Sequence, residues 1–273
     1  MGRRRLAVAA VLLGLLTLYA VAVPWLSGVD DRITDFASAR QGPSASHWFG
    51  TDSAGRDLFV RSASAIRTSL LIAAACAVLA TVLGTVVGVF AGVWGGWVDR
   101  VVMRATDAVN ALPHLLLGIV IVAMFRGSIT AIVLSIALTH WTQVARIVRS
   151  EILGLRGRPF VDAAVAAGAS RAHVIGRHMF PAVTPQALIA VVLLLPHAIW
   201  HESTLSFLGF GLPPHEPSLG TLLSEARSSL LLGGWWTLVF PAGILVLATV
   251  SVALAGSALR TAVAPPAPAE LRL

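Results

Sequence analysis

The sequence predicts an all-α, polytopic membrane protein with six transmembrane helices, and three observations carry that prediction. Apolar residues make up 56% of the 273-residue chain and charged residues only 12%, whereas soluble domains are roughly a quarter charged. The apolar residues fall into runs near the length of about 20 that a helix needs to cross a hydrocarbon core of about 30 Å. The remaining charges gather between those runs, and all 20 Lys+Arg positions are arginine.

Residues 6–26, "LAVAAVLLGLLTLYAVAVPWL", contain no charge and form the first span. A cleaved secretory signal is the competing reading, because Arg3, Arg4 and Arg5 precede the run and Ala20-Val21-Ala22 resembles a cleavage site. The length of the run favours a retained helix, so 1–27 reads as an N-terminal transmembrane segment. Residues 28–67 read as an extracytoplasmic loop. The body, 68–258, then holds five more spans. Residues 68–92 are rich in Gly and Ala, which suits close helix packing. Residues 104–125 contain Pro113, which predicts a kink. Residues 129–150 follow a short break at Gly127 and Ser128. Residues 183–204 and 236–258 complete the set, and 259–273, ending "APPAPAELRL", reads as a disordered cytoplasmic tail.

Orientation follows from arginine placement. With the N-terminus inside, thirteen arginines fall on inner segments and seven on outer ones, which puts both termini in the cytoplasm by the positive-inside rule. Five of the outer seven (Arg32, Arg40, Arg56, Arg61 and Arg67) share the 27–67 loop with Asp30, Asp31, Asp35, Asp52 and Asp57, a one-for-one match. The segment 151–182 is then cytoplasmic.

Several function classes are excluded or demoted. A Walker A loop needs a lysine for the β/γ-phosphates, and the chain has none. If ATP drives this protein, another subunit binds it. The basic balance of +7 flanks apolar spans, so it points to membrane lipids and orientation rather than nucleic acid. Cys76 is a lone thiol in an apolar run and reads as a packing residue. "GVFAGVWGG", 88–96, is Gly-rich but apolar, and suits helix packing and a membrane exit better than phosphate binding. The aspartates of the outer loop lack the calcium-loop pattern. No catalytic constellation appears.

The informative polar interruption is "VDAAVAAGASRAHVIGRHMFPAV", 161–183. Pro159 suits the first turn of a short helix, which places Asp162, Val165, Ala166 and Ala169 within reach of one face. Gly168 permits a sharp turn. Ser170 is a candidate N-cap for a second amphipathic segment, 170–180, which sends Arg171, Arg177 and His178 outward and is stopped by Pro181. An ordinary inner loop is one reading. A docking surface is the sharper one, because the element is longer than a connector needs.

At this point the residues carry a resemblance. Asp162, Ala163, Ala164, Gly168 and Pro181 are spaced as in the EAA loop of ABC importer permeases, with Asp in place of the acidic Glu and Phe180 where Leu usually stands. "FGTDSAGRD", within 47–70, and "ESTLSFLGFGLPPHEPSLGTLLSEAR", 202–227, resemble two more segments of the di/oligopeptide and nickel group. Three motifs in the right order, over about 47–260, make the resemblance specific. It implies a type I ABC importer transmembrane domain, the C-type permease subunit, in a bacterial inner membrane. It also implies a homologous second permease, two P-loop ATPase subunits or a fused one, and an extracytoplasmic substrate-binding protein. ATP and Mg would sit in the ATPases, with no cofactor on this chain. The resemblance assigns ATPase coupling to Asp162, Ala163, Ala164, Gly168, Ala169, Ser170, Arg171 and Pro181. It marks Phe49, Gly50, Thr51, Asp52, Gly55, Arg56 and Asp57 as the outer-loop motif. Glu202, Ser206, Phe207, Leu208 and Gly209 become pathway or structural residues.

Intramembrane ionisable groups are costly and point to function or to the bundle interior. Besides Glu202, the stretch "PHAIWHESTLSF" places His197 and His201 at i, i+4, on one helix face. That spacing can hold a metal, but two neutral histidines near the outer interface, each hydrogen-bonded, is the preferred reading; His140 beside Trp141 reads the same way. The competing classes are an intramembrane metal-dependent enzyme using His197, His201 and Glu202, and a stand-alone proton-linked transporter. Neither needs the 151–182 motif. The leading expectation is a permease forming half of the translocation pathway for di/oligopeptides, with nickel or a metal chelate as the alternative substrate.

Overall fold

The computed structural model describes residues 2–28, 30, 33–213 and 215–263. These residues are built of helices: α1 (Gly2–Ser27), α2 (Leu58–Trp94), α3 (Gly96–Ala111), α4 (His114–Met124), α5 (Ile129–Leu155), α6 (Pro159–Ala166), α7 (Arg171–Val174), α8 (Phe180–Phe207), α9 (Leu219–Leu230) and α10 (Trp236–Val263). Among them, five helical stretches are long and apolar enough to cross a membrane, and the α3–α4 pair makes a sixth if its two arms count as one span.

Helix α2 is the spine, packed along α5 and α8. Gly84, Gly88 and Gly92 recur every fourth residue and bring its backbone onto α5. A Cβ at Gly84 would lie 2.5 Å from the Trp141 carbonyl oxygen, and one at Gly88 would lie 2.6 Å from that of Ala145. Small residues of this kind let membrane helices approach closely. Ala77, Ala80, Val144, Val148 and Ile152 fill the core beside this contact. A second core joins Ile66, Ile72, Ile132, Ile199 and Leu205 to residues of α1 and α10, and fully buried Cys76 packs within it. Helix α1 lies against α10 and α2, and the Tyr19 hydroxyl donates to the Phe59 carbonyl at 2.7 Å.

Four sequence expectations are corrected. Helix α2 begins at Leu58 rather than 68, so Arg61 and Arg67 are helical and not in a loop. The Asp57 carboxylate accepts from the Phe59 and Val60 amides and caps the helix start, and Arg61 is tolerated there because two carboxylates pair with it. The third span is not one kinked helix. Its arms, Gly96–Ala111 and His114–Met124, are bent by 82° at the break before and at Pro113. Pro181 does not stop the second amphipathic segment. One helical stretch runs from Arg171 to Phe207, and a wider π turn at Ile175–Met179 shifts the backbone register just before Pro181, which has no N–H to give. Helix α10 reaches Val263, so the first part of the expected tail is helical. Residues 264–273, with the rest of that tail and Arg272, lie outside the described residues, as do Val29, Asp31, Arg32 and Pro214.

Candidate functional site

The 151–182 segment folds as the spacing predicts. Pro159 occupies the first turn of α6, Gly168 turns the chain with φ +83°, and the Ser170 hydroxyl caps α7 by accepting from the His173 amide. Val161 and Val174 anchor the helix pair in the α2–α5 core, with Ala164 and Ala169 packed against it. Asp162, Ala163 and Arg171 are exposed. A groove of about 260 Å³ runs between the pair and the end of α2, and Asp162, Val165, Ala169 and Arg171 line it with Trp94 and Arg156. Ala166 stands outside that groove. Arg177 is exposed as expected, whereas His178 is half-buried against Phe160, with ring centroids 5.7 Å apart. Two contacts that the sequence did not announce brace the base of this region. The Asp99 carboxylate of α3 takes the Arg149 guanidinium of α5 through both oxygens, and Arg156 donates to the Gly92 carbonyl at 3.1 Å.

The outer-loop motif is a polar knot tied to the chain's own helices. Asp52 Oδ1 accepts from the Ala54 and Arg56 amides at 2.8 and 3.0 Å. Its Oδ2 accepts from Arg56 Nε at 2.8 Å and from Arg61 Nη1 at 2.6 Å. Glu225 of α9 completes the cluster, 2.6 Å from Arg61 and 3.1 Å from Arg56. Pairing in the loop is therefore not one for one: Asp52 holds two arginines, while Asp57 caps α2 and meets His47 at 2.8 Å. Thr51 bonds Ser38 and Gln41, and Trp236 Nε1 donates to its carbonyl at 3.1 Å. Gly50 and Gly55 have positive φ, and a Cβ at Gly55 would overlap the Asp35 carbonyl oxygen at 1.6 Å. Phe49 stacks on Phe240 with centroids 4.1 Å apart. Glu225 lies in the 202–227 stretch, but nothing in its spacing linked it to Arg61.

Glu202 is fully buried and tied into three helices. It accepts from Ser69 of α2 and from Ser206 of its own helix, both at 2.9 Å. The Leu219 amide that opens α9 donates to the same Ser69 hydroxyl at 3.1 Å. Gly220 and Gly211 leave the room this requires, since a Cβ on either would collide with Ser206. Arg227 lies over the Phe207 ring at 5.3 Å, Leu208 is exposed, and Gly209 ends the helix with φ +85°. Glu202→Ala is expected to lower the thermal midpoint of the purified complex more than Glu202→Gln. Alanine strands the Ser69 and Ser206 donors, and the longer contact from Ser203 at 3.4 Å, and opens a cavity, at about 1–3 kcal/mol per unmet group, whereas glutamine keeps one acceptor. Equal midpoints for the two variants would contradict this role.

The histidines are not arranged as the i, i+4 pattern suggests. His201 packs edge-on against His140 of α5, centroids 4.7 Å apart, and His140 against His114 of α4 at 5.4 Å. His140 is held by the Ile136 carbonyl at 2.9 Å. His197 is exposed and its Nδ1 lies 3.4 Å from the Leu193 carbonyl oxygen. Among the described residues, no three metal-ligating side chains converge as a metal site, and Glu202 points to its serines.

Comparison with known proteins agrees with this architecture. Residues 84–265 match the family described as binding-protein-dependent transport system inner membrane component. The oligopeptide transport system permease protein OppC of Escherichia coli (strain K12) is 41% identical over 264 residues, covering 96% of this chain and 87% of that protein. Its namesake from Bacillus subtilis (strain 168) is 34% identical over 258 residues, 94% of this chain and 84% of that one. A solved structure, "Crystal structure of an amino acid ABC transporter with histidines", shares the fold with a TM-score of 0.52 at 18% identity, over 74% of this chain and 94% of that one. With its multiple apolar spans and a family match over most of its length, the chain belongs to the binding-protein-dependent transport system inner membrane components.

Proposed function

We propose that this chain is one permease subunit of an ABC importer for di- and oligopeptides, and that α6 and α7 are its joint to a partner ATPase. The observation that carries the reading is the Ala-rich helix pair at Pro159–Val174. It is anchored in the core by Val161 and Val174 with Ala164 and Ala169 packed beside them, presents Asp162, Ala163 and Arg171 outward, and its second helix runs on without a break into the span that holds Glu202. Such an element can seat in a cleft of another protein and pass movement into the membrane. A homologous permease would complete the pathway, two ATPase subunits (or a fused one) would hold ATP and Mg, and a binding protein would deliver the solute from the other side. Both termini would be cytoplasmic. Peptide is favoured over nickel or a chelate by the relatives' names.

The test is coupling. Gly168→Asp places a side chain at φ +83°, and Ala164→Arg forces a charge onto the core-facing side of α6. Both complexes are expected to co-purify with their ATPases. Their peptide- and binding-protein-stimulated ATP hydrolysis is expected to fall by the roughly 5- to 150-fold that a coupling free energy of about 1–3 kcal/mol represents. Stimulation at the wild-type level in both variants would refute the joint.

A further inference from the structure

The broken α3–α4 span carries an observation that the coupling mechanism does not use. Between its arms, Leu112 is 49% exposed and Pro113 is exposed as well. Irregular backbone within a membrane span is tolerated only where protein buries it or water reaches it. The polar side chains around this break are unusual in the same way. His114 follows it directly, His140 of α5 packs edge-on against it, and His201 of α8 packs against His140 in turn. Neither His114 nor His201 makes a hydrogen bond to another described residue, and neither has a ring nitrogen sealed inside the fold. His197 stands exposed one turn along α8. On the other arm, Asp107 pairs with Arg146 of α5 at 2.6 Å, with the side chains 56% and 49% exposed. Exposed charges and uncommitted imidazoles in a span are too costly to face lipid tails. Broken helices flanked by polar groups are also where membrane transporters hold their solutes.

We infer that the break at Leu112–Pro113, with His114, His140, His197, His201 and the Asp107–Arg146 pair, forms a hydrated transit site for a short extended peptide. The inference rests on the peptide-importer reading and adds to it the residues that touch the solute. Arg146 lies six positions after His140 on α5, about 9 Å along the helix. An extended peptide advances about 3.4 Å per residue, so two to three residues bridge the two polar stations. Arg146, already paired with one carboxylate, Asp107, can take the peptide carboxylate at one station, and the imidazoles can donate to or accept from its amides at the other. His140, fixed through the Ile136 carbonyl, acts as a positioning residue for its two neighbours.

The experiment uses the complete transporter in proteoliposomes, with trialanine and pentaalanine as probes. In a Cys76→Ala background, His197→Cys and Arg146→Cys are expected to react with a small, charged, membrane-impermeant thiol reagent in at least one nucleotide state, and peptide plus binding protein to slow that reaction. The paired change His114→Leu with His201→Leu is expected to lower uptake by about tenfold, the scale of one or two hydrogen bonds lost in exchange with water. His114→Gln with His201→Gln is expected to keep most of it. Failure of both cysteines to react in every state would place this face against the second permease or lipid and overturn the site. Uptake at the wild-type rate in the leucine variant would overturn it too. If neither peptide drives the wild-type transporter, the peptide reading fails, and cysteine labelling still decides whether the strip is a hydrated path. If the leucine variant does not assemble, the glutamine variant and the labelling carry the decision.

Discussion

Gly88→Leu is expected to yield no folded permease, while Gly88→Ala yields a complex with a lowered thermal midpoint. The reason is backbone contact. A Cβ at Gly88 would sit 2.6 Å from the Ala145 carbonyl oxygen, 2.8 Å from Val148 Cβ and 3.1 Å from the Arg149 amide nitrogen. None of these atoms belongs to the end of a flexible side chain. Gly84 and Gly92 repeat the situation one turn to either side, against Val144 at 2.6 Å and Ile152 at 2.7 Å. The helices cannot separate at Gly88 without opening the contacts above and below. Overpacking a fitted core costs about 1–3 kcal/mol, and more where backbone must shift. Membrane helices have no hydrophobic drive to offset a lost fit, because lipid tails are as apolar as the core. The measurement is the yield of monodisperse complex in mild detergent. Gly14→Leu is the control, since a Cβ there has nothing of this chain within 4 Å. Normal yield of Gly88→Leu would show that α2 and α5 are not held by backbone fit.

Arg61→Met is expected to destabilise the complex by about 3–5 kcal/mol, the cost of leaving buried charge unpaired. Arg61 is 1% exposed and lies between Asp52 and Glu225, each 2.6 Å from its Nη1. Methionine preserves much of the volume, so the loss isolates charge. Arg61→Met leaves Arg56 alone to face both Asp52 and Glu225, and adding Glu225→Gln removes the excess negative charge and keeps the Asp52–Arg56 pair. The double variant is therefore expected to recover a substantial part of the lost stability. Thermal denaturation of the purified complexes reads both. A single variant no less stable than the double would show that the four-charge cluster does not hold α9 to the start of α2.

The two predictions fall where the sequence was least informative, and the reason is physical. A hydrocarbon core imposes a run length, so the spans could be read directly. It does not fix where a helix begins, because a buried partner can carry an arginine into the first turns, as Glu225 does for Arg61 from 164 residues away. Pro113 was legible as a break. The 82° turn was not, because its direction is set by polar contacts to α5, such as Asp107–Arg146 and Asn110–Thr142. Pro181 was misread by a local rule, since a π turn just before it absorbs the missing donor. The helix pair at 159–174 was read well because its signals (Pro159, Gly168 and Ser170) act on neighbouring backbone. Glu202 was flagged from its position alone. Its partner Ser69 lies 133 residues away, and the stacking of His201 on His140 joins two helices whose periodicities say nothing of each other.

The unbroken stretch Arg171–Phe207 also sets a scale for movement. At about 1.5 Å per residue its 37 residues measure about 55 Å, against a hydrocarbon core of about 30 Å. Nearly half of its length is thus in excess of the apolar layer, and Arg171 stands at one end. A tilt of about 10° about the Phe207 end, taken together with the core that holds Val174, would carry the Arg171 end sideways by about 10 Å. Read in reverse, a shift of several ångströms imposed at Arg171 reaches Glu202 as a displacement of an ångström or so, with a proportionate gain in force. Under the coupling proposed above, the helix would work as a reduction gear: a large, weak stroke at one end would become a small, strong one among the serines around Glu202 at the other.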